Sequence, residues 1–529
     1  MIRLFWRDRQ LSDRLENRAD FMYDSNLAVS GCCFAVCVAQ LAQKLIGPGL
    51  AINSDDHWSP FLLRFLNGRV EHICCAPQLM VGLESPEFSM TRSQTGTIET
   101  PRKGILSGPA VWRGLPDWFS DQQGAAWQKF ESIPRPTRKD QAWRFANVGL
   151  LDLTPFKYGE TLTEEERTAI LTRSRVLDEV AGRMIFAGDQ LIERDVISDQ
   201  LKKRGVIFQP LERAMVEHAD LFRKYFMSQP ATLGSAKFAA LHQALVSSGT
   251  FLYVPRGVEV ESPIEIFHWL DGENASVFPH LLLVTDELAK VTVIEHFRSV
   301  NEHAPGFACG VNDLVAGPGA KVTYVCAQNW SDNAAALQIN STVVDHDASA
   351  TSLNLHLGSR YSRFESLSRL IGEGGRSDLL AVAVAKHQQE FDARTLQDHV
   401  SPHTASDLLY KNALDDRART IFGGLIRVER HAHFTDAYQK VRNLLLSDDA
   451  EANSMPGLEI LADNVRCTHG ATSGQIDEDE LFYLRSRGIP TKSAQRLLVT
   501  GFLDEVIQRL NHPAIATHLH RLIEQKFAA

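Results

Sequence analysis

Between Gly249 and about Ala462 the chain is cut into short β-prone runs by Gly, Asp, Asn and Pro, and this recurrence limits the fold more than any other feature. Val258 to Phe267, Leu281 to Thr285, Lys290 to Ile294, Lys321 to Cys326, Leu337 to Val344, Thr351 to Leu357 and Leu379 to Val384 are rich in residues that favour strands. Three entries resemble one another: Leu288-Ala289-Lys290-Val291-Thr292-Val293, Gly319-Ala320-Lys321-Val322-Thr323-Tyr324 and Ala348-Ser349-Ala350-Thr351-Ser352-Leu353. Their spacing of about thirty residues is a solenoid period. Stacked rungs bury their apolar positions on neighbouring rungs and leave long flat faces for partners. A large β-sandwich is the competing architecture.

Helical texture flanks this region. Thr163 and Glu166 have capping-box spacing before Ile170 and Leu171. Leu211 to Tyr225 and Ser235 to Val246 carry apolar residues at helical intervals, while Arg183 to Phe186 and Gly205 to Phe208 read as short strands. After Ser473, an acidic entry at Gln475 to Glu480 leads into Leu481 to Leu484, then a stripe from Ser493 to Leu510, a break at Asn511 and Pro513, and a last helix from Ile515 to Phe527. The expected division is residues 1–89 as an extension, 90–248 as a mostly helical domain, 249–474 as the β core and 475–529 as a C-terminal helical domain. Met90 offers an internal start of translation, which would make residues 1–89 an extension of the reading frame.

The charge balance narrows the function. A formal charge of -10 and a pI near 6.0 do not suit a nucleic-acid binder, which needs a basic face. Leu27 to Ala39 is apolar but too short to span a bilayer, and the mixed charges before it do not make a targeting peptide. Five of the eight cysteines, Cys32, Cys33, Cys37, Cys74 and Cys75, lie near the start, no CxxC pair occurs, and the cytoplasm is the expected compartment.

Cys467 and His469 are the candidate ligands. If Leu461 to Gly474 is extended, the two side chains share a face, and thiolate with neutral imidazole is a donor pair for iron or zinc. The bland alternative is a small buried hydrophobe beside a hydrogen-bonded turn residue. His399 with His403, and His431 with His433, also have ligand spacing, but no thiol accompanies them and they read as turn and strand-surface residues. Asp345, Asp347, Asp415 and Asp416 would serve a β-helical carbohydrate-active enzyme, yet turn formation explains them better.

Phe422-Gly423-Gly424-Leu425-Ile426, Thr435-Asp436-Ala437-Tyr438-Gln439, Asn443-Leu444-Leu445-Leu446-Ser447, Pro456-Gly457-Leu458-Glu459-Ile460, Cys467-Thr468-His469-Gly470-Ala471-Thr472 and Phe482-Tyr483-Leu484-Arg485-Ser486-Arg487-Gly488-Ile489 together resemble the SufB/SufD family of iron–sulfur cluster assembly scaffolds. Arg138 to Phe145 and Phe251 to Gly257 agree, so the resemblance covers roughly Pro109 to Leu510. It implies a mainly β fold, a right-handed parallel β-helix (β-solenoid) between N-terminal and C-terminal helical domains. It also implies a non-catalytic subunit that joins a SufB-type paralogue and a SufC-type ABC ATPase, and a homodimer when the chain is alone. Where SufB-type chains carry an essential cysteine after the Leu-Leu run, Ala450 stands here, and Gly470 replaces their glutamate beside the histidine, so the chain looks SufD-type.

A SufD-type chain would contribute to a transient Fe–S cluster shared with its SufB-type partner, with His469 as the implied ligand or sulfide-handling group and Cys467 the weaker candidate. The ATPase would dock on the C-terminal helical region, roughly Ile476 to Leu510. No GxxxxGK[ST] loop occurs in the chain, so hydrolysis would belong to that partner. Reduced flavin is associated with the family complex, but no segment here identifies a flavin site. A purely structural subunit without any ligand is the nearest alternative.

Overall fold

The computed structural model describes residues 104–109, 115–159 and 162–528. The expected extension at 1–89 and the reading of Met90 as a start lie outside the described residues. Among the described residues the first strands are short: β1 (Lys157–Tyr158), a hairpin of β2 (Gly182–Ala187) and β3 (Gln190–Asp195), and β4 (Ile207–Pro210). They are interspersed with helices α1 (Asp117–Ser132), α2 (Glu164–Arg173), α3 (Asp199–Lys203), α4 (Leu211–Glu217), α5 (Ala219–Tyr225) and α6 (Ala236–Leu245). Thr163 caps α2 with the reciprocal Glu166 bond that its spacing anticipates. The single helix expected from Leu211 to Tyr225 is two, because His218 leaves helical geometry with φ at -133°.

Strands then alternate between two sheets. They are β5 (Thr250–Val254), β6 (Ile264–Leu270), β7 (Ala275–Val277), β8 (His280–Thr285), β9 (Lys290–Ser299), β10 (Gly306–Ala316), β11 (Lys321–Asn329), β12 (Ala334–Val344) and β13 (Ser349–His356). The stack continues through β14 (Tyr361–Leu370), β15 (Arg376–Ala385), β16 (Glu390–His399), β17 (Ala405–Leu414), β18 (Arg419–Val428), β19 (Asp436–Leu445), β20 (Glu451–Ile460) and β21 (Arg466–Gly474). One sheet runs β20-β18-β16-β14-β12-β10-β8-β5-β4 and the other β21-β19-β17-β15-β13-β11-β9-β6-β2-β3. From β5 onward each strand pairs in parallel with strands of the same sheet on adjacent rungs, for example Lys321 with Lys290 on one side and Ser349 on the other. This is a parallel β-solenoid, and consistent parallel pairing is what a β-sandwich of hairpins and Greek keys lacks.

A residue with positive φ recurs once per rung in the turns that lead from the first sheet to the second: Leu288, Gly319, Asp347, Gly374, His403, Phe434 and Asn464. Its N–H donates to a carbonyl of the next rung, as from Leu288 to Pro318, Asp347 to Glu373 and Phe434 to Asn464. Gly249, at φ 157°, precedes the first rung, and a Cβ there would sit 2.4 Å from the His280 carbonyl oxygen.

Helices cover the outer faces. Phe119, Phe130 and Phe238 of α1 and α6 share one buried cluster with Phe251, Phe307 and Tyr361 of the first sheet. Arg363, fully buried on β14, fixes this layer. It lies 3.8 Å from the Trp143 ring centroid, pairs with Glu365 and Asp392, and donates to the carbonyls of Ala142 and Leu233 at 3.0 and 2.9 Å. On the second sheet, α7 (Glu478–Ser486), α8 (Thr491–Ile507) and α9 (Pro513–Ala528) follow β21, and Val499, Leu503 and Leu519 pack with Leu353, Leu355 and Val382. Asn511, at φ 50°, separates the last two helices. None of the described helices is long and apolar enough to cross a membrane.

Candidate functional site: the open end of the solenoid

β21 is the last strand of its sheet, paired only with β19 on one side. Its register sets Cys467 beside Ala437, His469 beside Gln439, Ala471 beside Val441 and Ser473 beside Asn443. Those four β19 residues are buried, so the odd-numbered residues of β21 face the lumen of the solenoid at its mouth. Cys467 is half-buried against Ile426, Val428, Ala432 and Ala437. Burial pushes its thiol above the ordinary range and the Asp436 carboxylate adds to this, while a backbone hydrogen bond at Ala437 works the other way. His469 is exposed. The strand therefore brings the two candidate donors onto one face, about 7 Å apart along the chain by strand rise.

The mouth is polar behind them. Gln439 donates to the Gly424 carbonyl at 3.5 Å, and its buried Oε1 has no partner. Asn412 Nδ2 donates to Asn443 Oδ1 at 2.7 Å, and Asn443 Nδ2 donates onward to Ser473 Oγ at 3.1 Å, carrying an amide ladder into the last rung. Gln439 and Asn443 lie in segments that carry the family resemblance, but their place at the mouth follows only from the strand alternation that aims them there. Among the described residues no group of three or more His, Cys, Asp or Glu side chains converges to hold a metal ion. Cys467 and His469 thus make at most two corners of a coordination site.

The two sheet edges differ. At the two ends of β20, Glu451 and the following Leu461 donate their N–H groups to Ala418, just before β18, and to Val428, its last residue. By strand alternation the even-numbered N–H groups point outward, and Pro456 occupies such a position at no cost to the ladder. In β21, Arg466 donates to Thr435, so Cys467, His469, Ala471 and Ser473 direct theirs to the open side. No proline interrupts that row.

The remaining candidates lie elsewhere. Ala450 is buried with Ala385, Phe391, Leu414 and Ala418, so its methyl group fills a small apolar niche. His399 is not on a strand surface as expected. It is fully buried, its ring nitrogens bonded to Thr404 and Ser406 at 2.8 Å each, and burial lowers its pKa to about 4. His403 is a turn residue stacked on Phe434, and His433 contacts the Asp463 carbonyl in the neighbouring turn. Asp345 and Asp347 occupy the turn before β13, whereas Asp415 and Asp416 occupy the turn after β17, a different column of the solenoid.

The C-terminal helices expose Phe482 (70%), Tyr483 (56%) and Leu497 (54%). Beneath α8, Lys411 of β17 is buried and donates to the Phe502 carbonyl at 2.6 Å while pairing with Glu505.

A parallel solenoid flanked by helices, with two candidate donors on one face at its mouth, has the architecture of a scaffold-type protein. The comparisons agree. Residues 268–502 match the SUF system FeS cluster assembly SufBD core domain, and residues 113–266 match the SufBD protein N-terminal region. The chain is 30% identical to the iron–sulfur cluster assembly protein SufD of Bacillus subtilis over 425 residues, 78% of this chain and 94% of that protein. It is 26% identical to an iron–sulfur cluster assembly SufBD family protein of Staphylococcus epidermidis over 456 residues, 84% of this chain and 96% of that one. This chain belongs to the SufBD family of iron–sulfur cluster assembly proteins, and its resemblance is to SufD.

Proposed function

We propose that this chain meets a SufB-type paralogue at the open end of its solenoid and that the pair builds Fe–S clusters at their shared boundary in the cytoplasm. An ABC-type ATPase docks on the exposed face of α7 and α8. The observation that carries this reading is the end rung: a complete, proline-free strand edge whose lumen-facing side chains include an exposed imidazole and a thiol. An unpaired edge of that kind is a template for another strand.

The cluster is cargo on this reading. The His469 imidazole supplies one nitrogen donor or handles sulfide, and the partner supplies the thiolate that SufB-type chains carry where Ala450 stands here. Cys467 is the poorer ligand, because its raised pKa keeps it a thiol near neutrality. Phe482, Tyr483 and Leu497 are the apolar anchors for the ATPase, and Lys411 ties α8 to the rung two strands from β21.

The test is the anaerobic visible spectrum of the reconstituted complex with its SufB-type and ATPase partners, comparing the unaltered chain with His469→Ala at equal assembly. Loss of cluster absorption supports a donor role. An unchanged spectrum makes this chain a structural partner only.

A further inference from the structure

We propose that the bare outer face of the last two rungs seats an acidic helix contributed by the SufB-type subunit, an inference that rests on reading the open end as that partner's surface. On the second sheet the helical layer thins beyond β17, with α8 contacting β15 and β17 and only Leu444 at the end of β19 packed against its apolar cluster. Outward residues change character there. Leu380 and Val382 on β15 and Leu409 on β17 are buried under the helices, and Lys411 closes the covered zone.

Beyond it, β19 turns Tyr438, Lys440 and Arg442 outward, in register with Thr468, Gly470 and Thr472 of β21. Tyr438 is 42% exposed, and a Cβ added at Gly470 would meet nothing within 4 Å. The uncovered strip is two strand spacings wide, about 10 Å. Packed helices lie about 8–10 Å apart, so the strip has the width of one helix lying beside α8. The small residues of β21 let a backbone approach closely.

Charge chooses the occupant. Lys411 and Arg509 are already paired with Glu505 and Asp407. Lys440, Arg442 and Arg466, by contrast, form no ion pair among the described residues, although the Arg442 charge helps hold the Glu505 carboxyl below its ordinary range and Asp436 stands beside Arg466 across the strands. A helix with Asp or Glu on its inner face would neutralise this row and continue the α8 layer across the open end. The strip is continuous with the β21 edge, and so the docked paralogue is the subunit placed to supply that helix.

The experiment titrates the SufB-type partner onto the full chain at about 50 mM and about 300 mM salt, since exposed charge pairing is screened across that range. The double reversal Lys440→Glu/Arg442→Glu is expected to weaken binding at least about tenfold at low salt and to flatten the salt dependence. The neutral pair Lys440→Gln/Arg442→Gln falls between. Ala471→Pro, which blocks only the strand edge, removes binding at both salt concentrations. If the reversal binds with unchanged affinity and salt dependence while Ala471→Pro does not bind, the acidic helix is overturned and the edge reading stands. If both variants bind like the unaltered chain, both readings fail. If the reversal weakens the ATPase and leaves the paralogue unaffected, the occupant proposed here is wrong.

Discussion

The two ends of the solenoid are built oppositely. At the N-terminal end the sheets run into β2 and β4, which pair antiparallel with β3 and β5. Every residue of β2 is buried, and Met184 and Phe186 join the apolar core of the lumen. At the C-terminal end β21 is exposed at all but Cys467, and β20 is nowhere fully buried. At the N-terminal end the parallel stack gives way to antiparallel strands, with β3 and β4 ending the two sheets in place of a parallel rung. The closed end and the helical layers therefore carry stability, and the open end carries assembly.

The largest expected effect comes from the closed side. Arg363→Met leaves Glu365 buried without its cation and Asp392 with Arg394 alone, and should cost about 3–5 kcal/mol in denaturant unfolding. A loss comparable to that of a surface substitution would mean the N-terminal layer is not fastened there.

Acid is next. Burial lowers the pKa of His356 and His399 to about 4 and of His518 to about 2, so the folded chain refuses protons that the unfolded chain accepts below about 6.5. Stability should therefore be constant above that value and fall as pH drops toward 4, on the order of 3 kcal/mol for each of His356 and His399. Unfolding curves at pH 7, 5 and 4 test the sign, and a stability that rises on acidification would contradict it.

Thr163→Ala removes the reciprocal cap of α2 and should cost about 1 kcal/mol. Smallest is Ala471→Pro in the free chain. The N–H it deletes faces the open side, so melting should shift by no more than about 1 kcal/mol equivalent even though association is lost. A large destabilisation would show that the outer N–H row already has a partner within the chain.

Much of this was legible in the residues. The thirty-residue recurrence announced the solenoid, Thr163 and Glu166 marked a helix start, and Cys467 with His469 were placed on one face. Several strands stayed hidden for physical reasons. In β14 the outward Arg363 and Glu365 and the inward Ser362, Ser366 and Ser368 are all buried, one set under helices and the other in the lumen, so no apolar alternation marks the strand. Pro456 argues against a strand unless the edge is known. Leu288 and Phe434 hold the positive-φ turn position that Gly319 and Asn464 advertise, and nothing in their identity reveals it. His399 reads as a turn or strand-surface residue yet lies inside, because the lumen of this solenoid is partly polar and period-two patterning cannot tell such an interior from solvent.

Amide hydrogen exchange of the chain alone and with its SufB-type partner tests the central claim most directly. Protection gained across Glu451–Ile460 and Arg466–Gly474, strongest at Cys467, His469, Ala471 and Ser473, with β2 to β4 unchanged, is the predicted result. Protection confined to the helical layers or to the N-terminal strands, with the last rung exchanging as in the free chain, would contradict it.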